Sequence, residues 1–313
     1  MADASGGSAK TFDILAFGDP NIDLVFATDR VPRAEEKVLG RRIGVFAGGT
    51  VGNFACAASR LGAHVAGFGR VGSDSDAATL LEGYRRFGVS DAFIRSVAQP
   101  SATALIIINA AGEKALVYAP MSAEPLDEAL LTRALAMSRL IYAMPYDLEE
   151  FRRLSTLARR AKVEVAIDIE AAVAPNRERL NALLECADIV FMNESGFRAT
   201  SDADISVDAI RPLLEEGPNT IVLTIGEKGA LACDRRSSAS HPAFPVTMLD
   251  ATGAGDCFNG AFLAARFDGL NLDQCLAFAC AVASIAVSGI GARTALPNRS
   301  QVEHLLRSTL PPQ

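Results

Sequence analysis

The chain has 313 residues, of which 50% are hydrophobic and 21% are charged, and its net charge is −7. This composition excludes a disordered chain, and apolar runs that stay well short of the ~20 residues needed to cross a bilayer argue against a membrane protein. The acidic balance argues against a broad nucleic-acid interface, because such surfaces are basic. If the chain handles a nucleotide, we expect backbone amides, a helix end and a metal ion to hold the phosphates.

The first ten residues, MADASGGSAK, are small and polar and lack the apolar core of a secretory signal. We therefore predict a disordered lead-in over residues 1–10 and a cytoplasmic protein.

The six cysteines form no CxxC pair, which predicts reduced, mostly buried thiols and argues against a disulfide framework or a zinc site. They are Cys56, Cys186, Cys233, Cys257, Cys275 and Cys280.

Short apolar runs alternate with segments of helical period along most of the chain. The runs predict buried strands at 11–19, 63–69, 139–144, 162–168, 187–193 and 220–226. The helical segments are 51–62, 76–88, 148–161 and 178–187. This alternation predicts an α/β fold with a doubly wound, mostly parallel sheet and helices on both faces.

Four further strand-like runs have no helix between close neighbours. They lie at 24–28, 38–47, 104–109 and 114–119, and the last two predict a hairpin with Ala111 and Gly112 in its turn. Because such strands do not easily join a parallel sheet, we predict a small β-sheet lid inserted from about 24–47 and 104–119. The alternative is that they extend an edge of the main sheet.

The stretch GFGRVG (67–72) matches the GxGxxG pattern of dinucleotide-binding folds. Its glycines run into the polar SDSDA (73–77) instead of opening a helix, and no strand ending in an acid follows at the required distance of ~20 residues. The pattern therefore argues only weakly for a dinucleotide site, and no GxxxxGK[ST] phosphate loop is present in the sequence.

Two polar stretches follow predicted strands, where open α/β sheets bind their ligands. In GDPNID (18–23), Asn21 and Asp23 could point the same way and suit a polyhydroxylated ligand; the alternative is an Asx-rich turn. In AGGTVGNF (47–54), Gly48 and Gly49 allow close backbone approach and Asn53 lies in the first turn of a helix, where a capping role is the alternative.

The stretch DATGAGDCFNGAF (250–262) places one acid, Asp256, after a turn of small residues and before an apolar helix. An Asp near a helix N-terminus is explained by the unpaired amides and the helix dipole. The same amides can instead hold a phosphate, with the acid directed at the attacking group. The small-residue helix within 275–291 could form a wall of a flat apolar slot or could simply pack in the core.

Together, GGTVGN with the following RLG, GFGRVGSDSDA and DATGAGDCFNGAF resemble the two signatures of the ribokinase-like (PfkB) carbohydrate kinases, in the right order and over nearly the whole chain. The resemblance implies a single ribokinase-like domain over 11–313. It also implies that Asp256 is the general base and that Gly253, Ala254 and Gly255 form an anion hole for the transferred phosphoryl group. Because an Asp at a helix N-terminus stays ionised at neutral pH, we expect Asp256 to be ionised there.

The same resemblance implies binding sites for a sugar, for ATP with Mg²⁺ and for a monovalent cation such as K⁺. The sugar residues would be Asn21, Asp23, Gly48, Gly49, Asn53 and Asp256. Nucleotide phosphates would contact Asn193, Thr224, Gly226 and Gly229, while Ala279 and Val282 would form a wall of the adenine slot. The monovalent cation would be held by Asp250, Thr252 and carbonyls around 288–291.

One position departs from the family pattern. The family commonly carries Asn-x-x-Glu after the strand ending in FMN, and its Glu organises water around magnesium, whereas this chain has Asn193 followed by Gly196 at that place. Either another acid, such as Asp168 or Glu170, contributes to the metal shell, or the phosphates and water bind Mg²⁺. Some ketose-kinase branches resemble this chain in lacking that Glu, which favours a ketohexokinase-like or fructokinase-like branch.

The sequence therefore predicts an ATP-dependent kinase acting on a primary hydroxyl of a small sugar, with a ketohexose or related keto-sugar first. A nucleoside kinase would need a base pocket, for which Phe46, Tyr118 and Tyr146 are candidates. A 2-keto-3-deoxygluconate kinase would need a lid arginine, such as Arg42 or Arg95. The non-enzyme alternative is a sugar- or nucleotide-binding regulator. Exposed edges of the lid predict a homodimer.

Overall fold

The computed structural model describes residues 10–111 and 113–309, with only the backbone at 309. The predicted lead-in, apart from Lys10, and the predicted turn residue Gly112 therefore lie outside the described residues. The chain begins with β1 (Phe12–Phe17), the first strand of a nine-stranded main sheet. The other eight strands are β4 (Val65–Val71), β5 (Ser90–Ser96), β8 (Ser138–Ala143), β9 (Glu164–Ile169), β10 (Ile189–Asn193), β11 (Thr220–Thr224), β12 (Ala230–Asp234) and β13 (Ser238–His241).

The main sheet has the strand order β13-β12-β11-β10-β9-β8-β1-β4-β5. Every neighbouring pair from β5 to β11 is parallel, whereas β12 and β13 are added antiparallel at one edge. The order runs outward from β1 in both directions, because the chain first adds β4 and β5 and then returns to add β8 onward. The prediction of a doubly wound, mostly parallel sheet is confirmed.

In the part of the chain that the structure describes, ten helices surround the main sheet, together with two short 3₁₀ helices at Arg211–Glu216 and Gly226–Lys228. They are α1 (Thr50–Arg60), α2 (Ser75–Arg86), α3 (Glu128–Ala136), α4 (Leu148–Arg160), α5 (Arg177–Leu184), α6 (Glu194–Thr200), α7 (Val207–Ile210), α8 (Ala254–Phe267), α9 (Leu272–Ala286) and α10 (Arg299–Thr309). None of these helices, all within the described ranges, has the length and apolar character needed to cross a membrane.

Alternation along the strands explains why both faces of the sheet are covered. Ile14 and Ala16 of β1 pack with α1, α8 and α9, whereas Leu15 between them packs on the other face with α3, α4 and α5. Successive side chains of a strand point to opposite faces, so an unbroken apolar run requires two apolar layers. The predicted arrangement of helices on both faces is confirmed.

The lid is a separate four-stranded sheet in the order β3-β2-β6-β7. Its strands are β2 (Asn21–Thr28), β3 (Gly40–Gly48), β6 (Thr103–Ile108) and β7 (Lys114–Ala119). This separation excludes the alternative in which the four runs extend the main sheet. The hairpin β6–β7 is confirmed, and Asn109 Oδ1 accepts hydrogen bonds from the amides of Ala111 and Glu113 in its turn.

The first two glycines of GFGRVG, Gly67 and Gly69, lie inside strand β4, and the third, Gly72, follows its end, so the stretch forms no dinucleotide loop between a strand and a helix. A Cβ at Gly67 would lie 2.7 Å from the ring of Tyr84, and one at Gly69 would lie 2.5 Å from the carbonyl oxygen of Gly18. Close packing therefore explains why glycine stands at both positions.

The six cysteines are free and five of them are buried, which confirms the prediction of mostly buried thiols.

Candidate active site

Strand β2 carries the first pair of predicted sugar ligands, Asn21 and Asp23. Because they are two residues apart in a strand, their side chains share one face. Asn21 Nδ2 donates a hydrogen bond of 2.7 Å to Asp23 Oδ1, and both side chains are buried. Burial raises the pKa of Asp23, and the bond from Asn21 opposes that shift. The Asx-rich turn considered from the sequence is not what forms, because β2 begins at Asn21 itself.

Gly48 and Gly49, at the end of β3, provide the space for that pair. A Cβ at Gly48 would lie 2.1 Å from Asp23 Oδ2, and a Cβ at Gly49 would lie 3.0 Å from Asn21 Oδ1. Gly49 also has a φ of 90°, which favours glycine. The close approach expected of these glycines is therefore an approach of the strand β2 side chains to the backbone of β3.

Asn53 connects helix α1 to the predicted catalytic turn, which is the stretch 250–256 that ends in Asp256. The N-cap of α1 is Gly49, and no side chain caps this helix, so the capping explanation for Asn53 is wrong. Instead, Asn53 Nδ2 donates a hydrogen bond of 2.9 Å to Asp256 Oδ2. Two motifs about 200 residues apart in the chain thus meet through one hydrogen bond.

The small-residue turn before Asp256 forms the N-terminus of α8. Its N-cap, Gly253, has a φ of 74°, and a Cβ there would lie 2.5 Å from the Cβ of Ala292. The amide of Ala254 donates to the carbonyl of Ala251 at 3.2 Å. Gly255 and Asp256 belong to the first-turn amides that a helix leaves without intrahelical acceptors. Of the three residues predicted to form the anion hole, Gly255 has the most accessible position.

The carboxyl group of Asp256 does not have the pKa expected from its helix position. Burial raises its pKa to about 7, although the hydrogen bond from Asn53 opposes the rise. The expectation of full ionisation at neutral pH is thereby corrected: near pH 7 the group is partly protonated. A pKa near the working pH suits a general base, because the group can both accept and release a proton there.

A cavity of about 1160 Å³ lies between the lid and the carboxyl ends of the main-sheet strands. Its lining includes predicted sugar, catalytic and metal residues, which are Asn21, Asp23, Gly49, Asn53, Glu170, Thr252, Gly253 and Asp256, together with the acceptor-pocket candidates Arg95, Tyr118 and Tyr146. Most of the predicted sugar and catalytic residues thus surround one space, and a volume of this size accommodates a sugar together with part of a nucleotide.

The predicted nucleotide residues are arranged differently. Asn193 and Thr224 are paired at the ends of the neighbouring strands β10 and β11, at the edge where α/β sheets bind ligands. Asn193 Oδ1 accepts the Gly196 amide at 2.8 Å and so caps α6. Gly226 has a φ of 59° and open space beside its Cα, as a backbone contact to a ligand requires. At position 229 close packing requires glycine, since a Cβ there would lie 2.0 Å from the carbonyl oxygen of His241.

Ala279 and Val282 of α9 are fully buried, each with 0% of its surface exposed. They belong to the apolar cluster on the α8–α9 face of the main sheet. In this conformation they pack in the core, so the adenine slot assigned to them stays a prediction. The assignment requires backbone contacts or a movement of α9.

The structure gives a reason for glycine at position 196. A Cβ at Gly196 would lie 2.5 Å from the carbonyl oxygen of Ile169 and 3.1 Å from Cα of Glu170. Helix α6 therefore packs so closely on the end of β9 that a glutamate at this position requires the backbone to shift. The backbone of Glu170 occupies the space that a side chain at position 196 would need. Glu170 itself lines the cavity, and its carboxylate accepts a hydrogen bond of 2.9 Å from Tyr146.

Asp168 lies at the end of β9, below the catalytic turn. It accepts hydrogen bonds from Tyr142 Oη at 3.3 Å and Asn259 Nδ2 at 3.0 Å. Burial, followed by the charge of Asp256, raises its pKa to about 7. Among the described residues, no group of three or more acidic, histidine or cysteine side chains is arranged to hold a metal ion.

Asp250 and Thr252, the predicted monovalent-cation residues, contact a lysine of the lid. Lys114 Nζ lies 2.5 Å from Asp250 Oδ1 and also donates to the hydroxyl of Thr252. Asp250 Oδ2 accepts the amide of Gly291 at 2.9 Å. Although burial acts in the opposite direction, the bonds from Lys114, Thr252 and Gly291 lower the pKa of Asp250 to about 2. In this structure an ammonium group therefore neutralises the carboxylate, and K⁺ binding stays a prediction.

Three basic residues at the site were missed in the sequence. Lys114 comes from lid strand β7, Arg70 pairs with Asp19 at 2.7 Å at the cavity wall, and Arg293 donates to Asn53 Oδ1 at 2.8 Å. Lys114 and Arg293 belong to stretches without a motif, whereas Arg70 lies within GFGRVG between the glycines that drew attention. Each of the three contacts a partner more than 50 residues away. Arg293 could have been identified because it is the one charged residue in the otherwise small and apolar stretch GIGARTA, which follows the small-residue helix.

Comparison with known proteins places this geometry in a family. Residues 11–299 match the model described as pfkB family carbohydrate kinase. The ribokinase of Bacillus subtilis is 29% identical over 300 residues, covering 94% of this chain and 99% of that protein. The ribokinase structure of Thermotoga maritima has a TM-score of 0.82 at 25% identity, covering 95% of this chain and 99% of that one.

An Arabidopsis thaliana ribokinase complexed with ribose and ATP has a TM-score of 0.80 at 23% identity, covering 95% of this chain and 99% of that one. This likeness shows the shared fold, including the main sheet and the separate lid. The family model extends over both signatures and everything between them. The chain therefore belongs to the pfkB family of carbohydrate kinases, as its motifs predict.

Proposed function

We propose that the protein transfers the γ-phosphoryl group of ATP to a primary hydroxyl of a small sugar. The observation that carries this proposal is the position of Asp256: a carboxyl group with a pKa near 7, in the first turn of a helix, facing a cavity lined by buried polar side chains. The family and the solved ribokinase with ribose and ATP support the same substrates.

In the proposed reaction the sugar hydroxyl lies between Asp256 and the γ-phosphoryl group. Asp256 takes the hydroxyl proton as the sugar oxygen forms its bond to phosphorus, and the bond from phosphorus to the β-phosphate oxygen breaks, leaving ADP. The amides at the start of α8, with Gly255 the most accessible, would stabilise charge on the transferred oxygens. Asn21, Asp23 and Asn53 would hold the other hydroxyl groups of the sugar.

Glu170 and Asp168 fit a role beside Mg²⁺. Mg²⁺ keeps several water ligands and binds chiefly through substrate phosphates, so it needs only one or two carboxylates nearby. When bound, it would supply positive charge that neutralises the phosphates. We propose that Glu170, whose backbone lies beside Gly196, provides the carboxylate that the usual glutamate provides elsewhere in the family.

We propose the acceptor first as a broad class and then as a particular kind of sugar. A small sugar with a primary hydroxyl follows from the family and from the polar cavity. The finer proposal, a ketohexose or related keto-sugar, is supported by Gly196 at the position where some ketose-kinase branches lack the glutamate. Ribose is its direct competitor, because the Bacillus subtilis relative is named a ribokinase.

A nucleoside acceptor has a specific observation in its favour. Tyr118 and Tyr146 line the cavity and are 48% and 58% exposed, so both could stack on a base. A sugar acid has less support, because Arg95 is already paired with Glu124 at 3.2 Å and Asp127 at 3.4 Å. We therefore keep the nucleoside as the second candidate.

A steady-state assay with ATP and Mg²⁺ against fructose, ribose, 2-keto-3-deoxygluconate and adenosine tests these proposals. We expect turnover with a small sugar and the largest kcat/KM with the ketose. A larger kcat/KM with ribose or adenosine would reject the ketohexose. Nucleotide binding without turnover on any acceptor would instead favour the regulator considered from the sequence.

We also propose a homodimer formed through the lid. Strand β7 is an edge strand of the lid, and its Leu116, Val117 and Tyr118 are 59%, 65% and 48% exposed. Leu116 and Tyr118 line the cavity, and alternation places Val117 on the opposite face. Light scattering should give the mass of a dimer for the unmodified chain and of a monomer for Val117→Lys; a monomer for both would contradict the proposal.

A further inference from the structure

The guanidinium group of Arg293 occupies a closed space beneath the sugar-binding loop. Its Nε donates to Asn53 Oδ1 at 2.8 Å, and its Nη2 donates to the carbonyl oxygen of Gly48 at 2.7 Å. Nη1 is buried and has no hydrogen-bond partner among the described residues. The group also lies over the ring of Tyr84, 5.9 Å from its centroid. Arg293 itself is not part of the described cavity lining, so it reaches the site only through its partners.

Two helices provide the space for this side chain. A Cβ at Gly52 of α1 would lie 2.5 Å from Nη2, and a Cβ at Gly83 of α2 would lie 3.4 Å from Nη1. A glycine inside a helix costs about 1 kcal/mol relative to alanine. Helix α1 carries that cost at the one position, Gly52, where a side chain would collide with Arg293.

The contact with Asn53 fixes which way its amide faces. An asparagine side chain has one oxygen that accepts and one nitrogen that donates, whereas an arginine can only donate. Because Arg293 Nε takes Oδ1, Nδ2 is the group left to face Asp256 Oδ2, at 2.9 Å. A rotated amide would present its oxygen to Asp256, and two acceptors can share that contact only if the carboxyl group is protonated.

We propose that Arg293 is a positioning residue, which holds the Asn53 amide so that it donates to Asp256 and keeps this carboxyl group in the ionised form that accepts the sugar proton. The inference rests on the function proposed above for Asp256. It goes further by assigning a role to a residue outside both motifs. Through the carbonyl of Gly48, Arg293 also holds the backbone against which the Asp23 carboxylate packs.

The charges around Asp256 agree with this role. The titratable and charged groups that face it are Asp23 on β2, Tyr142 on β8, Asp168 and Glu170 at the end of β9, Cys257 on α8 and Arg293. Three of these groups are acids, and Arg293 carries the positive charge of the set. Loss of Arg293 should therefore favour the protonated form of Asp256, both by removing that charge and by releasing the Asn53 amide.

The test compares Arg293→Met, Arg293→Lys and the unmodified enzyme in the pH dependence of kcat. We expect the acid limb of Arg293→Met to move up by about one pH unit, so that activity well below the pKa falls about tenfold while activity above pH 8 largely returns. Arg293→Lys, which keeps the charge, should show a smaller shift. Arg266→Met is the matched control, because Arg266 lies at the far end of α8 in an ion pair with Glu164, and its acid limb should not move.

An independent readout separates this proposal from the proposed reaction. Carboxyl-carbon NMR, with Asp256→Asn to assign the signal, should show Asp256 titrating at higher pH in Arg293→Met than in the unmodified protein. An unchanged titration, or a uniform loss of kcat at every pH, would overturn the positioning role. A shifted titration in a protein with no turnover would instead overturn the proposed function and leave the role of Arg293 standing. Arg293→Lys provides the same NMR comparison if Arg293→Met does not fold.

Discussion

The proposed sugar side and the proposed nucleotide side of the site are built in different ways. On the sugar side, side-chain hydrogen bonds join Asn21 to Asp23 and Asn53 to Asp256, and all four residues are buried or half-buried. On the nucleotide side, Asn193 caps a helix and Gly226 offers open backbone. The difference shows that the acceptor would meet a preorganised set of side chains, whereas ATP would depend on backbone groups at strand and helix ends.

The largest effect is expected from Asp256→Asn on the sugar side. It removes the proposed general base while keeping the size of the side chain, so kcat should fall about 10²–10⁴-fold. Nucleotide affinity should change little, since the amides at the start of α8 remain. Steady-state kinetics and a nucleotide titration measure both quantities. An unchanged kcat would remove Asp256 from the mechanism.

Gly48→Ala should weaken sugar binding and leave nucleotide binding unchanged. The added Cβ would lie 2.1 Å from Asp23 Oδ2, so the carboxylate or the strand must move. We expect KM for the sugar to rise roughly 10–100-fold, because a misplaced polar ligand loses a charged hydrogen bond. The dissociation constant of the nucleotide, measured by calorimetry, should stay within a factor of two to three of the original. Equal losses in both affinities would contradict the separation of the two sides.

The pH dependence of kcat sharpens the comparison, because Asp256 belongs to the sugar side alone. Its pKa is raised to about 7, and the base acts in its deprotonated form. Activity is therefore expected to be full above pH 8 and to fall about tenfold per unit as the pH drops below 7. Nucleotide affinity should not follow this profile. An acid limb near pH 4 would show that Asp256 keeps an ordinary pKa once substrates are bound.

The smallest effect is expected on the nucleotide side, from Gly226→Ala. Gly226 has a φ of 59°, where an alanine costs about 1–2 kcal/mol, and its Cβ would point into open space. Nucleotide affinity should fall about 3–10-fold, and KM for the sugar should be unchanged. Gly269→Ala is the control, since Gly269 also has a positive φ, 81°, and open space and lies in the loop after α8. An equal effect of both substitutions on nucleotide affinity would contradict a nucleotide contact at Gly226.

The sequence predicted the fold well because its signals are local. Apolar runs and helical periods mark the central strands and their helices, and the lack of helices between neighbouring runs marks the lid. The strands β5, β12 and β13 were missed, because SDAFIRS, ALACD and SASH are short and partly polar and depend on pairing with strands already in the sheet. Tertiary context overrides weak propensity at such edges.

Within the site, motifs predicted which residues converge but not how they are connected. Asn53 and Asp256 were both identified, yet their hydrogen bond follows from the packing of α1 on α8, which no spacing in the chain reveals. Arg293 and Lys114 were missed for the same reason. The raised pKa of Asp256 could not be predicted either, because the sequence shows a helix N-terminus, which favours ionisation, and does not show the burial that outweighs it.

Strand β2 is an inner strand of the lid and carries two proposed sugar ligands, while the edge strand β7 reaches Asp250 through Lys114. The other edge strand, β3, is connected to Asp256 through the carbonyl of Gly48, Arg293 and Asn53, so the lid is attached to the predicted catalytic turn from both of its edges. An opening motion would have to separate Asn21 and Asp23 from Asn53 and Asp256, or bend the sheet between β2 and β7. With the proposed sugar ligands on a lid strand, we expect acceptor choice and the rate of product release to be coupled in one small sheet, so that a substitution selected for one property changes the other.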